Sequence, residues 1–169
     1  MPSTLRPAHP VPRSLSQLAA NFELSAIGDI DGVEVAGISL STDDIAAGDL
    51  YVGMPGTATH GARFARTARD RGAVAILTDA DGATLAADGG LPILITAHPR
   101  VALGAVSAWV YRTDENLPTL YAVTGTNGKT SVVYLLDAVL RQLGVVTGLT
   151  STAERRIGQE AVPSSLTTP

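Results

Sequence analysis

The 169-residue chain contains no cysteine, a single lysine and no long uninterrupted apolar run. The absence of cysteine excludes disulfides and thiolate metal sites. No apolar stretch approaches the roughly 18 residues that a membrane-spanning helix needs, and the N-terminus, "MPSTLRPAHPVPR", lacks the apolar core of a signal peptide. The sequence therefore predicts a cytoplasmic protein that does not insert into a membrane.

Positive charge is also scarce. The chain has 12 basic residues, which are scattered, against 16 acidic residues, and its net charge is −4. Because nucleic-acid-binding proteins usually carry a basic patch, this distribution argues against a nucleic-acid partner. Hydrophobic residues make up 45% of the chain, so a buried core is expected, and the length allows one domain or one and a fraction.

Strand and helix patterns alternate along the chain, which predicts an α/β fold. Residues 1–13, with four prolines, are predicted to be a flexible leader. The predicted strands are 33–40, 50–54, 73–78 and 91–96. The predicted helices are Leu15 to Phe22 behind the N-cap Ser14, Gly61 to Arg71, and Pro99 to Tyr111.

The buried faces of two helices can be predicted from the helical spacing of their apolar residues. In the helix that starts at Gly61, the inward-facing residues are Phe64, Ala65 and Ala68, while Arg63, Arg66 and Arg69 face solvent. In the helix that starts at Pro99, the inward-facing residues are Val101, Ala102, Ala105, Val106 and Trp109.

A linker is predicted at 112–118, "RTDENLP", because it is charged and ends in proline between two apolar segments. It separates a first domain, 14–116, from a second segment, 117–169. The second segment is predicted to begin with a strand at 119–124, a loop, a helix from Lys129 to Leu143 that ends before Gly144, and a strand at 145–150.

The loop, "VTGTNGKTS" (123–131), has the composition of a phosphate-binding loop. Such a loop needs glycines that let backbone N–H groups converge, a helix N-terminus, a lysine that reaches the outer phosphates, and a hydroxyl for Mg²⁺. Lys129 and Thr130 supply the last two. The general pattern also requires glycine at 123, where this chain has Val123. The alternative interpretation is an ordinary glycine-rich turn between a strand and a helix.

Lys129 is the only lysine of the chain, and the other 11 basic residues are arginines. Lysine offers a compact charge on a flexible stem, which suits contact with phosphates. A single lysine at this position therefore favours the phosphate-binding interpretation.

The three histidines, His9, His60 and His98, have no acidic residue or second histidine at the spacing of metal ligands. The sequence therefore predicts that they lie in loops or cap helices.

The quoted loop resembles the ATP loop of the Mur ligases of bacterial peptidoglycan synthesis, typically T-G-T-N/S-G-K-T-T/S. The segment "GISLSTDDIAAGDLYVGMPGTATHGARFARTARDRGAVAILTD" is similar to their first domain. The ending "TGLTSTAERRIGQEAVPSSLTTP" resembles the tripeptide-synthesising type, MurE. The resemblance covers nearly the whole chain after residue 14. It implies a MurE/MurF-like uridine-nucleotide-binding domain followed by the first β-loop-α-β unit of a P-loop ATPase domain.

The resemblance also implies site residues. Lys129 would be catalytic, and Thr130 would hold Mg²⁺. The residues implied for ATP binding are Gly125, Thr126, Asn127, Gly128, Lys129, Thr130 and Ser131. Those implied for binding the UDP substrate are Leu40, Thr42, Thr57, Ala58, Thr59, Thr167 and Thr168. One departure concerns 41–43, where the family usually has Asp-Ser-Arg and this chain has Ser-Thr-Asp; a hydroxyl is kept at Thr42, and the flanking acid and base are lost.

The implied reaction is ATP- and Mg²⁺-dependent amide formation between UDP-N-acetylmuramoyl-L-alanyl-D-glutamate and a diamino acid, diaminopimelate or lysine, by an enzyme that is a monomer at full length. The family's carbamylated lysine would lie later in the central domain, and Lys129 is the only lysine here. The chain is therefore expected to be an N-terminal fragment that is inactive alone. A MurF-type fragment and a non-catalytic uridine-nucleotide-binding module remain as alternatives.

Overall fold

The computed structural model describes residues 5–113, 115 and 117–163. They form two compact units, His9–Leu117 in one and Pro118 onward with the residues before His9 in the other. Within the described residues, no helix is both long and apolar enough to cross a membrane.

The first unit alternates short strands and helices. Its strands are β1 (Arg13–Ser14), β2 (Ser25–Ile27), β3 (Glu34–Val35), β4 (Gly37–Ser39), β5 (Asp49–Val52), β6 (Ala75–Thr78) and β7 (Ile93–Ile95). Its α-helices are α1 (Leu15–Asn21), α2 (Ala65–Asp70), α3 (Ala80–Ala86) and α4 (Pro99–Tyr111).

Five of these strands form one sheet in the order β2-β7-β6-β5-β4. The four strands from β4 to β7 are parallel, and β2 pairs antiparallel with β7 at the edge. Every residue of β5 and β6 is buried, as expected for central strands covered on both faces. The α/β class and the strands around 50–54, 73–78 and 91–96 are thereby confirmed.

Two apolar layers cover the sheet because successive strand residues point to opposite faces. On one face, Leu50 and Leu77 pack in a cluster with Leu18 of α1 and Val106 of α4. On the other face, a cluster of Tyr51 and Ile76 is covered by small residues of α2 and α3. The unit is therefore a three-layer α/β/α arrangement.

Charged and aromatic groups tie the start of this unit to its last helix. The Arg13 guanidinium lies 4.4 Å from the centre of the Trp109 ring and also pairs with Glu115. The Phe22 and Trp109 rings meet edge to face, with centroids 6.5 Å apart. These contacts connect β1 and α1 with α4.

Two predictions about this unit are wrong in part, and one helix is not predicted at all. The predicted strand 33–40 is two short strands, β3 and β4, which pair with different partners, β1 and β5. Helix α3 is not among the predicted elements. Residues Gly61–Phe64 form a 3₁₀ turn before α2, so Phe64 is 44% exposed and Ala62 is buried in its place.

The predicted inner face of α4 needs a larger correction. Val101 is 80% exposed and Ala105 is also exposed, whereas Val106 and Val110 are buried. The buried residues are Pro99, Val106 and Val110. They are separated by seven and four residues, which places them on one side of an α-helix. Val101 and Ala105 do not lie on this side.

The second unit has one described α-helix and an antiparallel sheet. Its elements are α5 (Lys129–Gln142), β8 (Gly148–Thr150), β9 (Glu154–Ile157) and β10 (Glu160–Pro163). The sheet has the order β10-β9-β8. Helix α5 is confirmed, with Leu143 at its C-cap and Gly144 at φ +79°. Of the predicted strand 145–150, only β8 is present.

The predicted strand 119–124 is wrong. This segment has no regular structure, and Leu120 is 80% exposed. A strand exists through its ladder of backbone hydrogen bonds, and 119–124 has no such partner among the described residues. Within the same residues, strand β8 pairs on one side only, with β9.

Asp137 joins α5 to the antiparallel sheet. Its carboxylate accepts hydrogen bonds from Thr147 Oγ1, at 2.7 Å, and from Arg156 Nη2. Burial raises the pKa of Asp137, but these hydrogen bonds and the charges of Arg156 and Arg141 outweigh burial and lower the pKa below its ordinary value. Ionised Asp137 therefore stabilises the folded unit.

The first prediction compares two valines of α4. Val106→Ala removes two buried carbons and should lower the free energy of unfolding by about 2 kcal/mol, whereas Val101→Ala should change it by less than about 0.5 kcal/mol. Urea unfolding of both variants measures the difference. Equal losses would contradict the observed helix face.

The second prediction concerns pH. Because the folded-state pKa of Asp137 is lowered, its contribution to stability is fully present above the ordinary value of 3.8 and is lost as the pH falls through the folded-state pKa. An NMR titration of the Asp137 carboxyl should give a midpoint below 3.8. Thr147→Val removes one hydrogen bond and should move that midpoint upward. A wild-type midpoint at or above 3.8 would refute the assignment.

Candidate functional site

The first group of predicted site residues follows the carboxyl ends of two neighbouring parallel strands. Leu40 and Thr42 come directly after β4, and Thr57–Ala58–Thr59 belong to the loop after β5. All except Thr42, which is partly buried, are exposed. In open α/β sheets this edge is the usual place for ligands. The topology therefore brings both predicted UDP-binding segments to the same sheet edge.

The turn after β4 is fixed by hydrogen bonds. Ser41 caps the 3₁₀ turn Thr42–Asp44 by accepting from the backbone N–H of Asp43. Arg71 donates to the Thr42 carbonyl at 2.8 Å and to the Asp43 carboxylate at 2.6 Å. The acid at Asp43, which departs from the family pattern, thus has an arginine partner from the end of α2.

The loop after β5 is closed at its base. An antiparallel bridge joins Pro55 to His60, and the Gly56 N–H donates to the Thr59 carbonyl at 3.1 Å. Below the bridge, the Gly61 N–H donates to the Met54 carbonyl at 2.8 Å. Residues 57–59 therefore form the exposed tip of a tight turn.

Two buried hydroxyls hold the base of this loop against the sheet. Thr78 Oγ1 donates to the Gly53 carbonyl at 2.6 Å, and Tyr51 Oη donates to the Gly61 carbonyl at 2.9 Å. Burial raises the pKa of Tyr51, so its hydroxyl stays protonated and can donate. A Cβ at Gly53 would lie 2.8 Å from the Ala62 backbone, so only glycine permits this approach.

His60 and Asp79 form a pair beside the loop. His60 Nε2 lies 3.0 Å from Asp79 Oδ1, and the Ala62 N–H donates to His60 Nδ1 at 3.1 Å. Because Nδ1 accepts, the proton of the neutral ring is assigned to Nε2, which donates to Asp79. Asp79 Oδ1 also accepts from the Gly82 N–H at 2.8 Å. The cap role predicted for His60 is confirmed, but its carboxylate partner was not predicted.

The second group of predicted site residues forms the loop before α5. Gly125 has φ +143° and Gly128 has φ +80°, conformations that favour glycine. Lys129 is the first residue of α5, and its Nζ donates to the Gly125 carbonyl at 2.6 Å and the Thr126 carbonyl at 3.3 Å. The lysine ammonium therefore lies over the loop.

The backbone donors of this loop are available to a ligand. Among the described residues, the N–H groups of 125–131 have no hydrogen-bond acceptor, and all seven residues are exposed. Free N–H groups, a lysine ammonium and the Thr130 hydroxyl at a helix N-terminus form a donor set suited to phosphate oxygens, and the hydroxyl is a ligand that Mg²⁺ accepts. In the described part of the chain, no cluster of three acidic or histidine side chains offers a further metal site.

The remaining predicted residues, Thr167 and Thr168, lie outside the described residues. Leu40, Thr42 and 57–59 belong to the first unit, and 125–131 belong to the second.

A groove of about 650 Å³ lies beside α5, away from the phosphate loop. Its lining includes Tyr134, Arg141, Val145 and Gln159, together with the paired Asp137 and Arg156. Asp137 and Arg156 already bind each other, whereas the groove also presents the polar side chains of Tyr134, Arg141 and Gln159.

The His60–Asp79 pair and Gly82 were missed by the sequence reasoning. The sequence indicates only that each of these residues follows a strand of the parallel sheet. The segments that follow such strands carry helix caps and ligand-binding side chains. Their spacing in the sequence does not indicate the contact, because His60 follows β5 and Asp79 follows β6.

A parallel sheet with ordered loops at its carboxyl edge defines an α/β protein, and the glycine-rich loop at the N-terminus of α5 has the composition of a phosphate-binding loop. Residues 30–117 match the model of the Mur ligase family, catalytic domain, and residues 123–169 match the Mur ligase middle domain. The chain belongs to the Mur ligase family.

Curated relatives are similar over almost the whole chain. A UDP-N-acetylmuramyl-tripeptide synthetase of Leifsonia xyli subsp. xyli is 64% identical over 168 residues, which is 99% of this chain and 33% of that protein. A UDP-N-acetylmuramoyl-L-alanyl-D-glutamate--2,6-diaminopimelate ligase of Streptomyces avermitilis is 40% identical, with the same coverage. The chain thus spans about a third of the length of these relatives.

Solved structures confirm the fold. A UDP-N-acetylmuramoyl-L-alanyl-D-glutamate--2,6-diaminopimelate ligase matches with a TM-score of 0.63 at 18% identity, over 90% of this chain and 30% of that one. A UDP-N-acetylmuramoylalanyl-D-glutamyl-2,6-diaminopimelate--D-alanyl-D-alanyl ligase from Acinetobacter baumannii matches with a TM-score of 0.62 at 22% identity, over 79% and 29%.

The third prediction compares two helical glycines. A Cβ at Gly82 would lie 1.9 Å from Thr78 Oγ1 and 2.6 Å from His60 Cε1, whereas a Cβ at Gly104 meets nothing within 4 Å. Gly82→Ala should therefore destabilise the first unit, and Gly104→Ala should stabilise it by up to about 1 kcal/mol through helix propensity. Thermal unfolding measures both. A stabilised Gly82→Ala variant would contradict the packing of His60 against α3.

Proposed function

We propose that the chain supplies the substrate-nucleotide-binding domain and the ATP loop of a MurE-type ligase. The full reaction joins a diamino acid, diaminopimelate or lysine, to UDP-N-acetylmuramoyl-L-alanyl-D-glutamate. The observation that carries the proposal is the 64% identity over 168 residues with a tripeptide synthetase. Fold likeness alone does not distinguish this type from MurF, since structures of both types match about equally well.

In the first unit, the proposed ligand is the uridine diphosphate of the substrate. Leu40 offers an exposed apolar surface for the base, and the hydroxyls of Thr42, Thr57 and Thr59 offer hydrogen bonds. Closure of the loop at the Pro55–His60 bridge fixes Thr57 and Thr59, and the turn capped by Ser41 fixes Thr42, before the ligand arrives. Such preorganisation lowers the entropic cost of binding.

In the second unit, the proposed ligand is ATP. The free N–H groups of 125–131 receive phosphate oxygens, and the Lys129 ammonium leaves the loop carbonyls for the phosphates. Mg²⁺, when bound, neutralises phosphate charge, and Thr130 is the residue proposed to hold it. Asn127 and Ser131 flank the helix start and complete the polar surface.

The ligase reaction has two steps. A substrate carboxylate takes the γ-phosphoryl group of ATP and releases ADP. The amine of the diamino acid then attacks the acyl phosphate, which forms the amide and releases phosphate. In such reactions, positioning and charge neutralisation supply most of the catalysis. Lys129 is the residue of this chain proposed to stabilise the transferred phosphoryl group.

The fourth prediction uses the single lysine. An amine-reactive acylating reagent can modify only Lys129 and the N-terminal amine, so the two sites can be separated by mass spectrometry. MgATP should slow the modification of Lys129 at least several-fold and leave the N-terminal amine unaffected. Equal protection by uridine monophosphate, or no protection by MgATP, would argue against the ATP loop.

The fifth prediction separates the two sites. Calorimetry should detect binding of UDP to the 169-residue chain, and Thr42→Val should weaken it by about three- to tenfold through loss of a hydrogen bond. Lys129→Ala should leave UDP binding unchanged because Lys129 lies in the other unit. If the wild-type chain binds no uridine nucleotide, the proposed role of the first unit is refuted.

A further inference from the structure

We infer that His60 and Asp79 are positioning residues that hold the 57–59 tip in its nucleotide-binding conformation. The inference rests on the proposed function of the first unit and adds two residues that are not among the proposed ligand contacts.

His60 is the last residue of the turn that carries the tip. Its backbone closes the turn through the bridge to Pro55. The ring uses both nitrogens within the protein, accepting from Ala62 and donating to Asp79. With 13% of the His60 side chain and 18% of the Asp79 side chain exposed, the pair is largely shielded from water. It therefore connects the loop to the sheet rather than facing the ligand.

Asp79 makes this connection rigid because both a strand and a helix fix its position. It follows the last residue of β6, and the same Oδ1 that contacts His60 also accepts from the Gly82 N–H as the N-cap of α3. The imidazole is thereby held against an element that does not belong to the loop. Gly82 leaves space for the ring, since any Cβ there would meet His60 Cε1 at 2.6 Å.

The consequence for binding concerns the ordering of the tip. Without the pair, the backbone bonds Gly56–Thr59 and Gly61–Met54 remain, but the imidazole no longer ties the outer arm of the loop to β6 and α3. The tip would then sample more conformations, and nucleotide binding would have to order it. The loss should appear in ligand affinity and in local exchange rather than in global stability.

Asp79→Asn and Asp79→Ser make a matched pair for the test. Both residues are good N-caps, so both should preserve the start of α3. Only asparagine has an oxygen that reaches His60 as the aspartate oxygen does. We expect Asp79→Asn to bind UDP like wild type, and Asp79→Ser to bind it about five- to tenfold more weakly with a nearly unchanged unfolding midpoint.

Two further measurements complete the test. Hydrogen exchange at the amides of 56–62 should be faster in Asp79→Ser than in Asp79→Asn without ligand. His98→Ala, at the N-cap of α4 where the side chain makes no capping bond, should change neither affinity nor exchange in the loop.

The outcomes are distinct. Wild-type affinity in Asp79→Ser, or equal weakening in both Asp79 variants, would overturn the inference. If the wild-type chain binds no uridine nucleotide, the proposed function fails, and the exchange rates still decide whether the pair holds the loop.

Discussion

Strands in a parallel sheet must be joined by connections that cross from one end of the sheet to the other, and this constraint organises residues 9–117. Strands β4 to β7 are parallel neighbours, so the segments that follow β4, β5 and β6 all emerge at one edge. The turn at Thr42, the 57–59 tip and Asp79 are brought to that edge by topology alone. Burial of β5 and β6 on both faces then holds these strands at the centre of the sheet, because their apolar residues pack against helices on either side.

Among the described residues, the apolar side of helix α5 is not covered by a parallel sheet. Its residues Val132, Leu135 and Val139 remain about half exposed or more, and its buried residue is Asp137. Contact with β8 and β9 therefore depends largely on polar groups, with the carboxylate accepting from Thr147 and Arg156. The two units thus differ: apolar layers cover both faces of the sheet in the first, whereas in the second a buried carboxylate with two hydrogen-bond donors joins the helix to the sheet.

The elements that could be predicted from the sequence are those whose large apolar residues stand out from polar neighbours. The strand at 73–78 and the helix from Pro99 to Tyr111 are long or apolar enough to stand out. Helix α3 was missed because its buried residues are Gly82, Ala83 and Ala86, which give little contrast. The glycine-rich loop 125–131 could be proposed as a phosphate-binding loop because its residues are adjacent in sequence. The His60–Asp79 contact could not, since it exists only once β5 and β6 have paired. Segment 119–124 has an apolar pattern typical of a strand, but pattern alone cannot supply a ladder partner.

The close approach of Gly53 to Ala62 divides the loop after β5 into parts with different tolerance for sequence change. At the base, side chains are excluded by backbone atoms 2.8 Å away, so few replacements are compatible with the fold. At the tip, 57–59 are exposed and carry no part of the core. Substitutions at the tip are therefore compatible with the fold, whereas a side chain at Gly53 is not. If the tip binds the nucleotide as proposed, substitutions confined to 57–59 change the ligand contacts with little effect on folding.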